Sequence, residues 1–254
     1  MNEPVQMHRQ GMVLVITIDR PHARNAIDGA TALALASALD ELDDDPTVAV
    51  GVLTGGGGTF SAGMDLKAFL RGEDVEVPGR GLAGLTRRPP RRPLIAAVEG
   101  YALAGGFELV LACDLVVAAS NATFGLPEVT RGLMAGSGGL LRLQAQLPPA
   151  IAMEHALTGE TLSAVEAHRW GLVNRLTAPG EALVTALELA DQICSNSPFA
   201  VQASKAIVAG AARWSQEQAW AEQDALLAQV LASDDAKEGA AAFVEKRPPV
   251  WTAR

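Results

Sequence analysis

Glu108 and Glu128 are the side chains of this sequence best placed to move a proton. Both fall within residues 95–128, IAAVEGYALAGGFELVLACDLVVAASNATFGLPE, a stretch that is otherwise mostly apolar. An isolated carboxylate in apolar surroundings is costly unless its pKa rises or it is paired, so two in one such region point to a general acid and a general base. The plainer reading puts Glu108 on an exposed helix face and leaves Glu128 to decorate the turn after Pro127. Between the apolar runs, Ala104-Gly105-Gly106 offers backbone N–H groups at the start of a short helix, with no bulky side chain beside them. That arrangement binds an anion or a developing oxyanion.

The pattern predicts a buried strand over 94–98, a small-residue loop over 100–106, a helix that opens near Gly105 and carries Glu108, a second buried strand over 115–119, and a loop holding Pro127-Glu128. The run GYALAGGFELVLACDLVVAASNATFGLPEV resembles the central signature of the enoyl-CoA hydratase/isomerase (crotonase) family, and FSAGMDL at 60–66 resembles its other signature, in matching order and spacing. The likeness continues through RGLMAGSGGLLRL, LTGETLSAVEAHRWGLVNRL and FVEKRPPVW, so it covers essentially the whole chain. Within the family, LPPAI, RWGLVNR and FVEKRPPVW look most like the carnitinyl-CoA dehydratase branch.

The resemblance implies an α/β fold, a crotonase-like spiral of ββα units, with a helical C-terminal region through which such proteins form trimers or dimers of trimers. It implies an acyl-CoA thioester substrate whose carbonyl lies between two backbone N–H groups, mapping here onto Met64 and Gly105, and no cofactor beyond the coenzyme A carried by the substrate. Addition of water to the 2,3-double bond places negative charge on the thioester oxygen, which two preorganised donors at helix N-termini stabilise. In hydratases of the family both glutamates hold one water; they map onto Glu108 and Glu128, and such a pair must titrate apart. Double-bond isomerases typically need only the carboxylate at the Glu128 position, so two acids favour a hydratase. A non-catalytic acyl-CoA-binding protein on the same fold is the competing class, against which both glutamates argue.

For coenzyme A, the resemblance maps Ala62 and Leu66 onto backbone positions that hold the adenine. Arg24 and Lys246 match basic positions near the phosphates, the latter often reaching a neighbouring subunit's ligand; each also has a plain surface reading. Two departures from the family pattern matter: Ala104 replaces the first residue of the usual triple glycine, and Met64 stands where many hydratases have alanine. A trimethylammonium acyl group would want an aromatic or acidic cage, yet aromatics are 4% of the chain and Tyr101 is its one tyrosine.

The elements that must carry these residues are legible in outline. Strands over 5–9 and 12–19 flank Gln10-Gly11 as an edge hairpin, the second alternating Val13, Val15 and Thr17 against Leu14, Ile16 and Ile18. Asp28 can cap a helix running to about Leu42, and 48–53 is a short apolar run suited to a strand buried on both faces. Strand, helix, strand then repeats as α/β with crossover helices. In TGGGGTFSAG there is no Gly-Lys-Ser/Thr and no GxGxxG, and Thr59 breaks a GxSxG, so nucleotide-loop and serine-hydrolase motifs fail; the helix is expected to begin at Ala62-Gly63-Met64.

Residues 71–93 read as an irregular, mobile arm whose TRRPPRRP could meet phosphates or simply face solvent. After Glu128 the pattern is helical throughout: 137–146, 150–157, 163–170 with a Ser163/Glu166 capping box, 181–195, 198–210, 216–231 and 234–245. The division is a core over 1–195 and an assembly region over 196–254, since the last helices carry more apolar surface than one layer can bury. A net charge of −9 and pI near 4.9 argue against a phosphate-neutralising nucleic-acid surface. No run suits a signal peptide or a membrane span, so a soluble cytoplasmic protein is expected. Cys113 and Cys194 lack disulfide or metal spacing; His8, His22, His155 and His168 lack catalytic company, and the tryptophans, Trp170, Trp214, Trp220 and Trp251, read as packing residues.

Overall fold

The computed structural model describes residues 3–252; Met1, Asn2, Ala253 and Arg254, at the ends of the two predicted regions, lie outside the described residues. β1 (Val5–Gln10) and β2 (Val13–Ile18) form the expected antiparallel hairpin. Asp28 caps α1 (Gly29–Asp44) by accepting from Thr31 N–H, and β3 (Val50–Gly55) and α2 (Leu66–Leu70) follow. Residues 71–93 are irregular outside two short strands, but their middle is a packed wall rather than a free arm: β4 (Glu76–Val77) pairs with β5 (Gly81–Leu82), and Leu82, Ala83 and Leu85 are buried. Then come β6 (Leu94–Val98), β7 (Tyr101–Leu103), α3 (Gly105–Ala112), β8 (Leu115–Ala119) and β9 (Thr123–Gly125). After the 3₁₀ turn Pro127–Arg131 the chain forms α4 (Gly139–Gln146), α5 (Pro149–Thr158), β10 (Leu162–Ser163), α6 (Ala164–Arg169), β11 (Arg175–Thr177), α7 (Ala182–Cys194), α8 (Pro198–Ala211), α9 (Gln216–Ala232) and α10 (Asp234–Glu245).

The main sheet has the order β1-β2-β3-β6-β8-β11, parallel from β2 onward. Alternation along β2 sorts its side chains as predicted, but both faces are covered. Val13 and Val15, with Val50, Val52, Ile95 and Val117, pack under Ala186 and Ala190 of α7, while Leu14, Ile16 and Ile18 join the larger core with α1 and α3. A strand clad on both sides by apolar side chains is what parallel pairing requires.

A smaller sheet, ordered β10-β9-β7, stands beside the first. β7 and β9 fall in segments expected to be loops, because a three-residue strand shows no period. The expectation that everything after Glu128 is helical also fails: β10 pairs with β9, and β11 extends the main sheet beside β8. The Ser163/Glu166 capping box is present in full. Among the described residues no helix is long and apolar enough to cross a membrane, and no His, Cys, Asp and Glu cluster could hold a metal ion.

Candidate active site

Met64 and Gly105, the two residues predicted to supply oxyanion-hole N–H groups, are brought together by backbone pairing between distant segments. Arg24 and Asn25 both adopt positive φ, and the fully buried Asn25 donates from its amide to the Gly56 and Thr59 carbonyls. This docks the 24–27 turn on the glycine loop, where Ala62 N–H donates to the Arg24 carbonyl and Ile27 N–H to the Gly63 carbonyl. Ser61 bridges to Ala102 on the other side, accepting from Leu103 N–H and donating to the Tyr101 carbonyl. Met64 is thereby held next to the start of α3. An ideal Cβ placed on Gly105 would lie 3.5 Å from the Met64 nitrogen and 2.8 Å from Leu82 Cδ2, so only glycine leaves that space open.

The bridge that docks Met64 uses the Gly63 carbonyl and the Asp65 N–H, leaving the Met64 N–H outside it. Gly105 is the first residue of α3, whose leading N–H groups have no partner within the helix. One expectation is corrected: α2 begins at Leu66 with Asp65 as its cap, so Met64 precedes the helix rather than opening it. The Ala104 substitution for glycine also has a structural cost, because Ala104 sits at φ 50°, ψ −129°. A side chain in such a region costs on the order of 1–3 kcal/mol, and here it turns the chain from β7 into α3.

Glu108 and Glu128 meet in the same cleft, about 760 Å³ in volume. Glu108 is 3% exposed, so the exposed-face reading fails. Its Oε1 accepts from Ser137 N–H and Gly139 N–H, both at 2.8 Å, at the N-terminus of α4. Burial pushes its pKa up, the two backbone donors oppose that rise, the Glu76 charge adds to it, and Arg142 counters. Glu128, on the Pro127–Arg131 turn, has a buried Oε2 with no hydrogen-bond partner. Burial raises its pKa, and the Glu108 charge raises it further against its own backbone bond and Arg131. The environments therefore differ: two N–H donors and a helix dipole favour ionised Glu108, while Glu128 is favoured as the acid.

Of the other predicted residues, Arg24, Ala62, Met64, Leu66 and Gly105 all line this cleft. Lys246 does not; it ends α10 in the left-handed region, φ 54°. None of the arginines of TRRPPRRP reaches the cleft, and Arg91 instead pairs with Asp43. Sequence reading missed four contributors, namely Glu76, Arg131, Ser137 and Gly139. The motif RGLMAGSGGLLRL was visible, but nothing in it said that the N–H groups of Ser137 and Gly139 would hold a carboxylate from α3. His155 and His168 each bond a backbone carbonyl, of Glu160 and Val173, and Cys113 is buried, in keeping with structural roles.

A sequence model of the enoyl-CoA hydratase/isomerase family matches residues 8–254. The chain is 46% identical to a carnitinyl-CoA dehydratase of Salmonella enteritidis over the full length of both. Among solved structures, an enoyl-CoA hydratase from Mycobacterium tuberculosis H37Rv is 56% identical with a TM-score of 0.98, covering all of both chains. A carnitinyl-CoA hydratase from Mycobacterium avium is 47% identical with a TM-score of 0.80, again over all of both chains. On the match of the family model and of full-length relatives, the chain belongs to the enoyl-CoA hydratase/isomerase family.

Proposed function

We propose that the protein is an enoyl-CoA hydratase, a hydro-lyase that reversibly adds water across the 2,3-double bond of an acyl-CoA thioester. The thioester carbonyl sits between Met64 N–H and Gly105 N–H, which stabilise the enolate as negative charge develops on oxygen. Ionised Glu108 takes a proton from a water whose oxygen attacks the β-carbon, and Glu128 delivers its proton to the α-carbon. The products are the 3-hydroxyacyl thioester, protonated Glu108 and ionised Glu128; running the steps backwards dehydrates it. The observation that carries this reading is the asymmetry of the carboxylates within one cleft, Glu108 bonded to two N–H groups and Glu128 with a buried unpartnered oxygen.

Coenzyme A lies along Arg24, Ala62 and Leu66 in this proposal, with Lys246 acting from a neighbouring subunit of a trimer or a dimer of trimers in the cytoplasm. In support, Lys246 occupies a left-handed helix end that glycine would fill more cheaply. No cofactor is required. Since full-length relatives are named carnitinyl-CoA dehydratase, crotonobetainyl-CoA is tested alongside crotonyl-CoA. The assay follows loss of the 2-enoyl chromophore and gain of one water by mass. A shifted double bond without water gain would establish an isomerase instead, and binding without turnover a non-catalytic acyl-CoA protein.

A further inference from the structure

The cleft holds a third carboxylate at its reacting end. Three acids of the wall, Glu73, Asp74 and Glu76, line it, but they are not equivalent. Glu73 is turned away, its oxygens taken by Arg71 and by Gly29 N–H, and Asp74 Oδ1 accepts from the Glu76 backbone N–H. Glu76 Oε1 accepts instead from Ser137 Oγ, and Ser137 is the residue whose N–H holds Glu108. Across the hairpin Glu76 pairs with Leu82, whose Cδ2 abuts the space in front of Gly105. Glu76 is thus placed beside the carbons that react and the acyl chain beyond them, away from the Arg24, Ala62 and Leu66 end.

We propose that Glu76 is a specificity-determining residue: its carboxylate favours acyl chains that are cationic or neutral and rejects those that end in a carboxylate. The proposal rests on the hydratase reading above, which fixes the end of the cleft that the acyl chain occupies. The charged groups lining this end are Glu108 on α3 and Glu128 and Arg131 on the 3₁₀ turn, while Arg142 on α4 acts on Glu108 from outside the lining. With Glu128 protonated and Arg142 turned to the Thr86 carbonyl outside the lining, Arg131 offsets Glu108, so Glu76 tips the balance toward negative. Phe69 is the aromatic side chain of the lining, which leaves a carboxylate as the group to meet a quaternary ammonium.

The test compares kcat/KM for crotonobetainyl-CoA, which is cationic, with that for glutaconyl-CoA, which ends in a carboxylate, in the unmodified protein and in Glu76→Gln. Taking the ratio divides out any shared effect of the substitution on Ser137 and Glu108. A unit charge several ångströms away at the effective dielectric of a protein surface shifts each substrate by roughly tenfold, so the ratio should fall about a hundredfold. Glu76→Asp, which retains the charge, should keep most of the preference. An unchanged ratio in Glu76→Gln overturns the proposal, as does an Asp variant that loses the preference as completely as Gln does. If the unmodified protein turns over no enoyl thioester, the hydratase reading has failed separately. The ratio of dissociation constants for the same two thioesters then decides the role of Glu76.

Discussion

Removing the proton-transfer capacity of either carboxylate while keeping its shape is the sharpest probe of the site. Glu108→Gln and Glu128→Gln should each lower kcat for hydration by roughly 10²–10⁴-fold, the range for a positioned acid or base, measured on crotonyl-CoA. Near-normal hydration by Glu108→Gln would leave isomerisation as the surviving reading. The pH dependence follows from the directions of the shifts. Both pKa values are raised, chiefly by burial, and the pair titrates as a unit. Below the lower value both are protonated and no base remains; above the upper value both are ionised and no acid remains. The profile of kcat/KM should therefore be a bell whose acid limb lies above the ordinary carboxylate range. A rate that stays flat from pH 4 to pH 9, roughly the span over which buried carboxylates titrate, would contradict the assignment.

In the hydratase proposal the N-terminus of α4 keeps Glu108 ionised to act as the base, and its geometry depends on one close approach. An ideal Cβ on Gly139 would stand 2.7 Å from Glu108 Cγ and 3.0 Å from Oε1. Gly139→Ala should therefore displace the carboxylate and reduce kcat by roughly 10²-fold, since an ångström of misplacement is enough. Thermal stability and acyl-CoA affinity, read in the same preparation, should change far less; unaltered kcat would show that Glu108 is not held there. This element also marks the limit of what the sequence discloses. β2, α1, β6 and the capping box of α6 announce themselves through alternation, an Asp cap, an apolar run and a Ser-x-x-Glu spacing. The two-residue β4, β5 and β10 have no room for a period, and the β4–β5 wall is disguised by glycine, proline and arginine. Glu108 and Glu128 stood out as charges in apolar runs, whereas Glu76, in a polar stretch, and the N–H groups of Ser137 and Gly139 leave no mark on residue type.

At the level of the whole molecule, α9 has no buried residue along its length and packs mainly on α8 and α10. Trp220, Leu227, Leu231, Phe243 and Val244 are exposed apolar side chains of α9 and α10, an area that association would cover. The C-terminal motif is folded back to hold this region in shape. Arg247 bridges Glu238 and Glu245, Trp251 Nε1 donates to the Ser195 carbonyl, and Thr252 N–H donates to the buried Asp235. Sedimentation at micromolar concentration should give a trimer or a multiple of three. Deleting everything after Ser233 should weaken assembly and raise KM for acyl-CoA together, and a stable, fully active monomer would refute both the assembly and the role of Lys246. The pairing of Ile27 with Met64 and of Ser61 with Ala102 has a kinetic consequence as well. Each is an isolated parallel bridge between segments far apart in sequence, so loop-closure entropy is lost before the contact repays it. The pocket proposed for the thioester oxygen is complete only when both bridges have closed, so during refolding hydratase activity should lag behind the recovery of helical signal.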